Sequence, residues 1–195
     1  MVNKISCESG ALHPFMGYFK MEGIDMIDWS KQHCGLFLAT WDQALEKMPD
    51  IAPLLKDLED ILQHNKEEYF IDVKVHKLMP GQFPCIPNWH VDFAPRDENG
   101  TRIRDVLAKD DMYLWISGAP LAEFRNKNIN MEAGKWTKFT QKDTHRGTMA
   151  EDFTWRGFIR VIPKWFKHAD TKTCNNVDVM RIHSQVYLDA EKFKW

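Results

Sequence analysis

Apolar residues at Ile51, Leu54, Leu55, Leu58, Ile61 and Leu62 recur at helical spacing and draw one stripe, with Asp50 placed ahead of them as a candidate cap. A stripe of that kind predicts a helix lying on a sheet. Near Glu68 the spacing changes. From Tyr69 to Leu78 the period becomes two, with Ile71, Val73 and Val75 on one side and Asp72, Lys74 and His76 on the other, which predicts a strand. Pro80 and Gly81 end it. After Pro84 and Pro87 the segment from Trp89 to Phe93 is expected to extend again.

The stretch from Ala94 to Asp111 holds Pro95, Gly100 and many charges, and reads as a long surface loop able to act as a lid. Further short strands are expected at Met112–Ser117, Lys135–Thr140, Thr154–Ile162 and Asp178–Leu188. Residues 1–68 are thus mainly helical and 69–195 mainly strands, one domain of the α+β class. No repeat or low-complexity stretch divides it.

Composition narrows the function classes. With 44% hydrophobic and 28% charged residues the chain belongs with folded proteins. A net charge of −2 without a Lys/Arg block gives no broad footprint for nucleic acid, and no run is long and apolar enough to span a membrane. The amino terminus lacks the apolar core of a signal peptide, so the expected location is cytoplasmic. Cys7, Cys34, Cys85 and Cys174 form no C-x-x-C pair, and reduced, structural thiols are expected.

The chemistry begins with Trp89-His90-Val91-Asp92. On a strand His90 and Asp92 would leave the same face and reach one ion together. An H-x-D pair is weak alone: with 8 His and 17 Asp in 195 positions, roughly 0.7 would arise by chance. The chain holds a second, His168-Ala169-Asp170, which is followed by His183 and then by no arginine. The first pair is followed by His145, then Arg156 and Arg160. His145 would complete a two-His, one-carboxylate set that leaves three adjacent positions of an ion open.

That order resembles the iron(II)/2-oxoglutarate-dependent dioxygenases, whose pattern is H-x-D, a distal His and then an Arg. The likeness covers roughly Tyr69 to Ile162. Arg156 lies eleven residues after His145 and Arg160 fifteen, the first being the better fit. The 55 positions from His90 to His145 suit the strands of the family's double-stranded β-helix, and Gly134–Phe139 resembles the strand that delivers the distal histidine. The resemblance implies a jelly-roll or cupin-like barrel with the helical region packed on its major sheet. It implies iron(II) on His90, Asp92 and His145, with 2-oxoglutarate as cosubstrate and its far carboxylate on Arg156. Arg160, on the same strand face, becomes a second clamp or a contact for a substrate anion. Tyr113 becomes a hydrogen-bond donor to 2-oxoglutarate. The expected outcome is hydroxylation of a second substrate, for which small molecules, protein side chains and nucleobases all stay open.

Plainer readings stand beside these. His145 sits among turn formers, and alternating arginines are common on exposed sheet faces. His76 and His183 fall on the polar sides of their strands, and His13, His33 and His64 have no carboxylate two residues on, so all five are read as surface or structural. The tryptophans are read as core anchors or pocket walls. The alternatives in function are a non-catalytic jelly-roll binding module and a metal-dependent cupin enzyme without 2-oxoglutarate, although the cupin H-x-H is missing.

Overall fold

The computed structural model describes residues 27–32, 35–63, 65–94, 97–99, 103, 110–164, 180–181 and 186–188. His168, Asp170, His183, most of the expected strand at 178–188 and most of the 94–111 loop lie outside the described residues.

Two α-helices are found among them, α1 (Trp41–Lys47) and α2 (Ala52–Leu62). Thr40 and Gln43 close a reciprocal capping box over α1, satisfying amides that the first turn leaves unbonded. Asp50 does not cap α2. A 3-10 turn, Pro49–Ile51, leads directly into that helix, and Asp50 Oδ2 instead accepts a 2.7 Å hydrogen bond from Gln32. The apolar stripe is buried as its spacing requires, except for Ile61, which is 51% exposed.

The strands are β1 (Gly35–Ala39), β2 (Tyr69–Leu78), β3 (Asp111–Ile116), β4 (Ala122–Phe124), β5 (Thr137–Thr140), β6 (His145–Gly147), β7 (Thr154–Pro163) and β8 (Met180–Arg181). They form a six-stranded antiparallel sheet in the order β5-β3-β7-β2-β1-β8 and a two-stranded sheet of β4 and β6. The architecture is α+β. Strand β1 falls inside the third expected to be helical. Its run Gly35-Leu36-Phe37-Leu38-Ala39 is apolar throughout, so no periodicity distinguishes strand from helix.

The central pair β2–β7 runs in register over ten residues, from Tyr69↔Pro163 to Leu78↔Thr154. Directly opposed residues share a face. On one face Ile71, Val73, Ile159 and Val161 join Tyr113 and Trp115 of β3, and α1 and α2 cover them with Trp41, Ala44, Leu54, Leu55 and Leu58. Each fully buried aliphatic side chain here contributes on the order of 2 kcal/mol. Gly157 is required by this packing: a Cβ there would meet the Trp29 ring at 2.0 Å.

The polar face of β2, which made His76 read as surface or structural, is not turned to water. Asp72 and His76 are buried, opposite Arg160 and Arg156, and Met112, Leu114, Ile116, Phe124, Phe139 and Ile162 make a second apolar cluster beside them. The strand alternates because its two faces meet different interiors. Where β1 joins β2 the register shifts between Leu36↔Val73 and Ala39↔Ile71. In that bulge Leu38 takes a positive φ of 50°, and its N–H donates to Asp72 Oδ1 at 2.8 Å. No helix among the described residues is long and apolar enough to cross a membrane.

Candidate metal centre

His90 and His145 are fixed by their backbones before their rings are considered. Each N–H donates to the other's carbonyl at 2.9 Å, a one-residue antiparallel bridge that sets the two Cα atoms opposite one another. The imidazole centroids are 4.5 Å apart. Trp89–Phe93 is therefore not a strand: only His90 pairs, and the chain then turns through Asp92 and Phe93, the latter at φ 52°. Gln141, 3% exposed, holds this turn by donating its side-chain amide to the carbonyls of Asp92 (3.2 Å) and Phe93 (2.7 Å).

The turn brings Asp92 Oδ1 to 3.6 Å from His145 Nε2 and 4.0 Å from His90 Nε2, and one donor atom from each residue lies within 4.8 Å of the others. These are the spacings of groups gathered round a common point, too long for direct hydrogen bonds. The rings are oriented for it. His90 Nδ1 lies 2.8 Å from the Asn88 carbonyl and His145 Nδ1 lies 3.1 Å from the Asp143 carbonyl. A carbonyl only accepts, so a proton on each Nδ1 is what these contacts favour, and in that tautomer a neutral ring presents the lone pair of Nε2 to the centre. Two imidazole nitrogens and one carboxylate oxygen on one side suit a divalent transition metal with open positions.

Arg160 completes the carboxylate's surroundings. Its Nη1 donates to Asp92 Oδ2 at 2.8 Å and its Nη2 to Asp72 Oδ2 at 2.6 Å. Burial pushes the Asp92 carboxyl up, but Arg160, His145 and His90 outweigh it and hold that carboxyl well below the usual range. Asp92 stays an anion. Burial likewise pushes His145 down, but Asp92 outweighs it and raises that histidine, so a metal would compete there with a proton.

The expected cosubstrate residues separate. Arg156 is 1% exposed, and its Nε donates to the Pro120 carbonyl at 3.1 Å. Burial lowers its pKa to about 10, which leaves it charged at neutral pH. Among the described residues no carboxylate pairs with it. Arg160 does not fit the role of a second clamp, because both its terminal amino groups are committed to Asp92 and Asp72. Tyr113 does not fit its role either. It packs on the helix-covered face, edge-on to Tyr69 at 6.4 Å, while Leu114 and Ile116, opposed to Arg160 and Phe158, are the β3 residues on the side of the metal centre.

Four participants were not singled out beforehand: Asp72, Lys74, Cys85 and Gln141. A signal for the first two was present, since a buried polar face on β2 would answer the arginines of β7. Lys74, opposed to Phe158, has its pKa pushed down to about 8 by burial and by Arg160. Burial pushes the Cys85 thiol up, against the pull of Arg156 and Lys74. Trp89 stands under Arg146, whose Cζ is 4.7 Å from the ring.

No family model, curated protein or solved structure matches the chain, so the chemistry rests on its own residues.

Proposed function

We propose that the chain is a non-haem iron(II) dioxygenase that uses 2-oxoglutarate and hydroxylates a second substrate. The observation that carries this reading is the donor set: Nε2 of His90, Nε2 of His145 and Oδ1 of Asp92 converge, each oriented by a partner on its far side. Arg156 adds the cosubstrate. A buried guanidinium without a carboxylate is costly unless an anion arrives, and the far carboxylate of 2-oxoglutarate would supply one. A metal-dependent cupin enzyme without 2-oxoglutarate gives Arg156 no partner.

Iron(II) held there would supply the activation of dioxygen that turns 2-oxoglutarate into succinate and carbon dioxide and adds one oxygen atom to a C–H bond. The protein's share is positional. Asp92 offers one oxygen while Arg160 occupies the other, Arg156 anchors the far end of the cosubstrate, and Phe93, Phe158, Leu114 and Ile116 limit water. In this reading the larger sheet and the β4–β6 pair are the two faces of a double-stranded β-helix, with the metal centre between them. A reducing, cytoplasmic setting suits both a ferrous ion and the free thiol of Cys85. The second substrate is a small molecule, a protein side chain or a nucleobase.

The test is a turnover assay on iron-loaded protein with 2-oxoglutarate. Oxygen-dependent succinate formation that disappears in Asp92→Ala is expected, and a wild type that forms no succinate beyond the metal-free control contradicts the assignment.

A further inference from the structure

Three cations crowd one ring on the inner face of β2 and β7. Lys74 Nζ lies 5.2 Å from the Phe158 centroid, Arg156 Cζ 5.4 Å and Arg160 Cζ 5.8 Å. Asp72 and Asp92 neutralise Arg160. Lys74 and Arg156 have no such partner among the described residues. Cys85, which the fields of both cations reach, is not a counter-ion: burial raises its pKa, so it stays a neutral thiol near pH 7.

Three cations face two carboxylates here, and a buried Arg156 beside a half-buried Lys74, neither in direct contact with a carboxylate among the described residues, is unfavourable for folding alone. Neither belongs to the metal donor set, and both project from the longest and most regular ladder of the sheet. The ladder places Lys74 one inward-facing position from His76, the residue opposed to Arg156, so the two cations come from adjacent strands at neighbouring positions on one face.

We propose that Lys74 and Arg156 are the two arms of one carboxylate receptor, which binds small dicarboxylic acids through their far carboxylate whether or not a metal is present. The inference rests on reading this pocket as a 2-oxoglutarate site, and it adds a residue and a ligand class. Arg156 supplies a planar fork and Lys74 a point charge from the neighbouring strand. A 2-oxo acid without a second carboxylate leaves both cations unpaired and binds poorly. Succinate keeps the far carboxylate, so it binds without the keto group and competes with 2-oxoglutarate.

Calorimetric titration of the metal-stripped full chain with succinate tests this. Saturable binding is expected. It is weakened at least about tenfold by Lys74→Gln and by Arg156→Gln, the size of one lost charge-assisted hydrogen bond. It is retained by Lys74→Arg. Lys77→Gln, an exposed change on the opposite face of β2, leaves it unchanged. Lys74→Met gives the same reading where the glutamine variant does not fold. Two results overturn the proposal: no succinate binding by the wild type at millimolar concentration, or wild-type affinity in a folded Lys74→Gln or Lys74→Met. Failure of the iron reading registers separately, as a wild type that binds succinate without metal yet makes none from 2-oxoglutarate when iron-loaded.

Discussion

Arg160 holds Asp92 by one oxygen only: Nη1 sits 2.8 Å from Oδ2, while Oδ1 is left to face the two imidazoles. The same guanidinium is anchored from behind by Asp72, itself fixed by the Leu38 amide in the β1 bulge. A backbone irregularity is thereby connected, through two carboxylates and one arginine, to the presentation of a candidate metal donor. Partners of this kind around metal ligands affect affinity about 10–100-fold.

Arg160→Met should therefore weaken iron(II) binding by about that factor and also destabilise the fold, because the buried Asp72 and the partly buried Asp92 would lose their cation, at a cost on the order of 3–5 kcal/mol. Competition against a chelator measures the first effect and denaturant titration the second. Unchanged metal affinity would detach Arg160 from the centre.

His90→Ala should abolish measurable metal binding while the circular dichroism spectrum stays close to that of the wild type. The bridge between residues 90 and 145 is made by backbone groups, which alanine keeps. A variant that unfolds would show that the ring carries the local structure, and one that still binds metal would remove His90 from the donor set.

Lys74 should show opposite effects on stability and binding. Its folded pKa, pushed to about 8, lies below the ordinary 10.5, so the unfolded chain binds more protons between those values. Stability then rises as pH goes from about 8 towards 10.5, and near neutral pH the charged amine is a liability. The groups that set this are Arg160, which lowers the pKa further, and Asp72, Asp92 and Cys85, which raise it. Lys74→Met should stabilise the protein at pH 7 by on the order of 1–3 kcal/mol, read as a higher melting temperature, while weakening dicarboxylate binding. In the wild type, dicarboxylate affinity should fall as pH rises through about 8, where the amine loses its charge.

Gly157→Ala should destabilise by on the order of 1–3 kcal/mol, since the added methyl meets the Trp29 ring at 2.0 Å and the strand carrying Arg156 and Phe158 must shift. Denaturation midpoints measure it. A neutral substitution would mean that Trp29 can leave this face at little cost.

The sequence made the long, regular features legible. The α2 stripe and the β2 alternation carry their periods over ten or more residues, and the α+β class follows from them. Strand β1 was hidden because five apolar residues in a row have no period, and Asp50 because a 3-10 turn displaced the cap. The order His90, Asp92, His145 pointed to a set that the structure brings together, although a bridge and a turn do so rather than a strand. Alternation also grouped Arg156 with Arg160, and Tyr113 was assigned to the cosubstrate, but period two does not say which face meets which interior. Only the register, Leu114 against Arg160, places Tyr113 under the helices. The same ambiguity left Asp72 and Lys74 only as the polar side of β2 and His76 as surface or structural, since a polar face turned to water and one turned to a charged pocket have the same pattern.

The most direct test of the iron and 2-oxoglutarate assignment is the absorption spectrum of the purified protein mixed anaerobically with iron(II) and then with 2-oxoglutarate. A metal-to-ligand charge-transfer band in the visible range should appear on adding the cosubstrate, be absent in Asp92→Ala, and require much more 2-oxoglutarate in Arg156→Gln. A wild-type protein that binds iron(II) yet develops no such band would contradict the account.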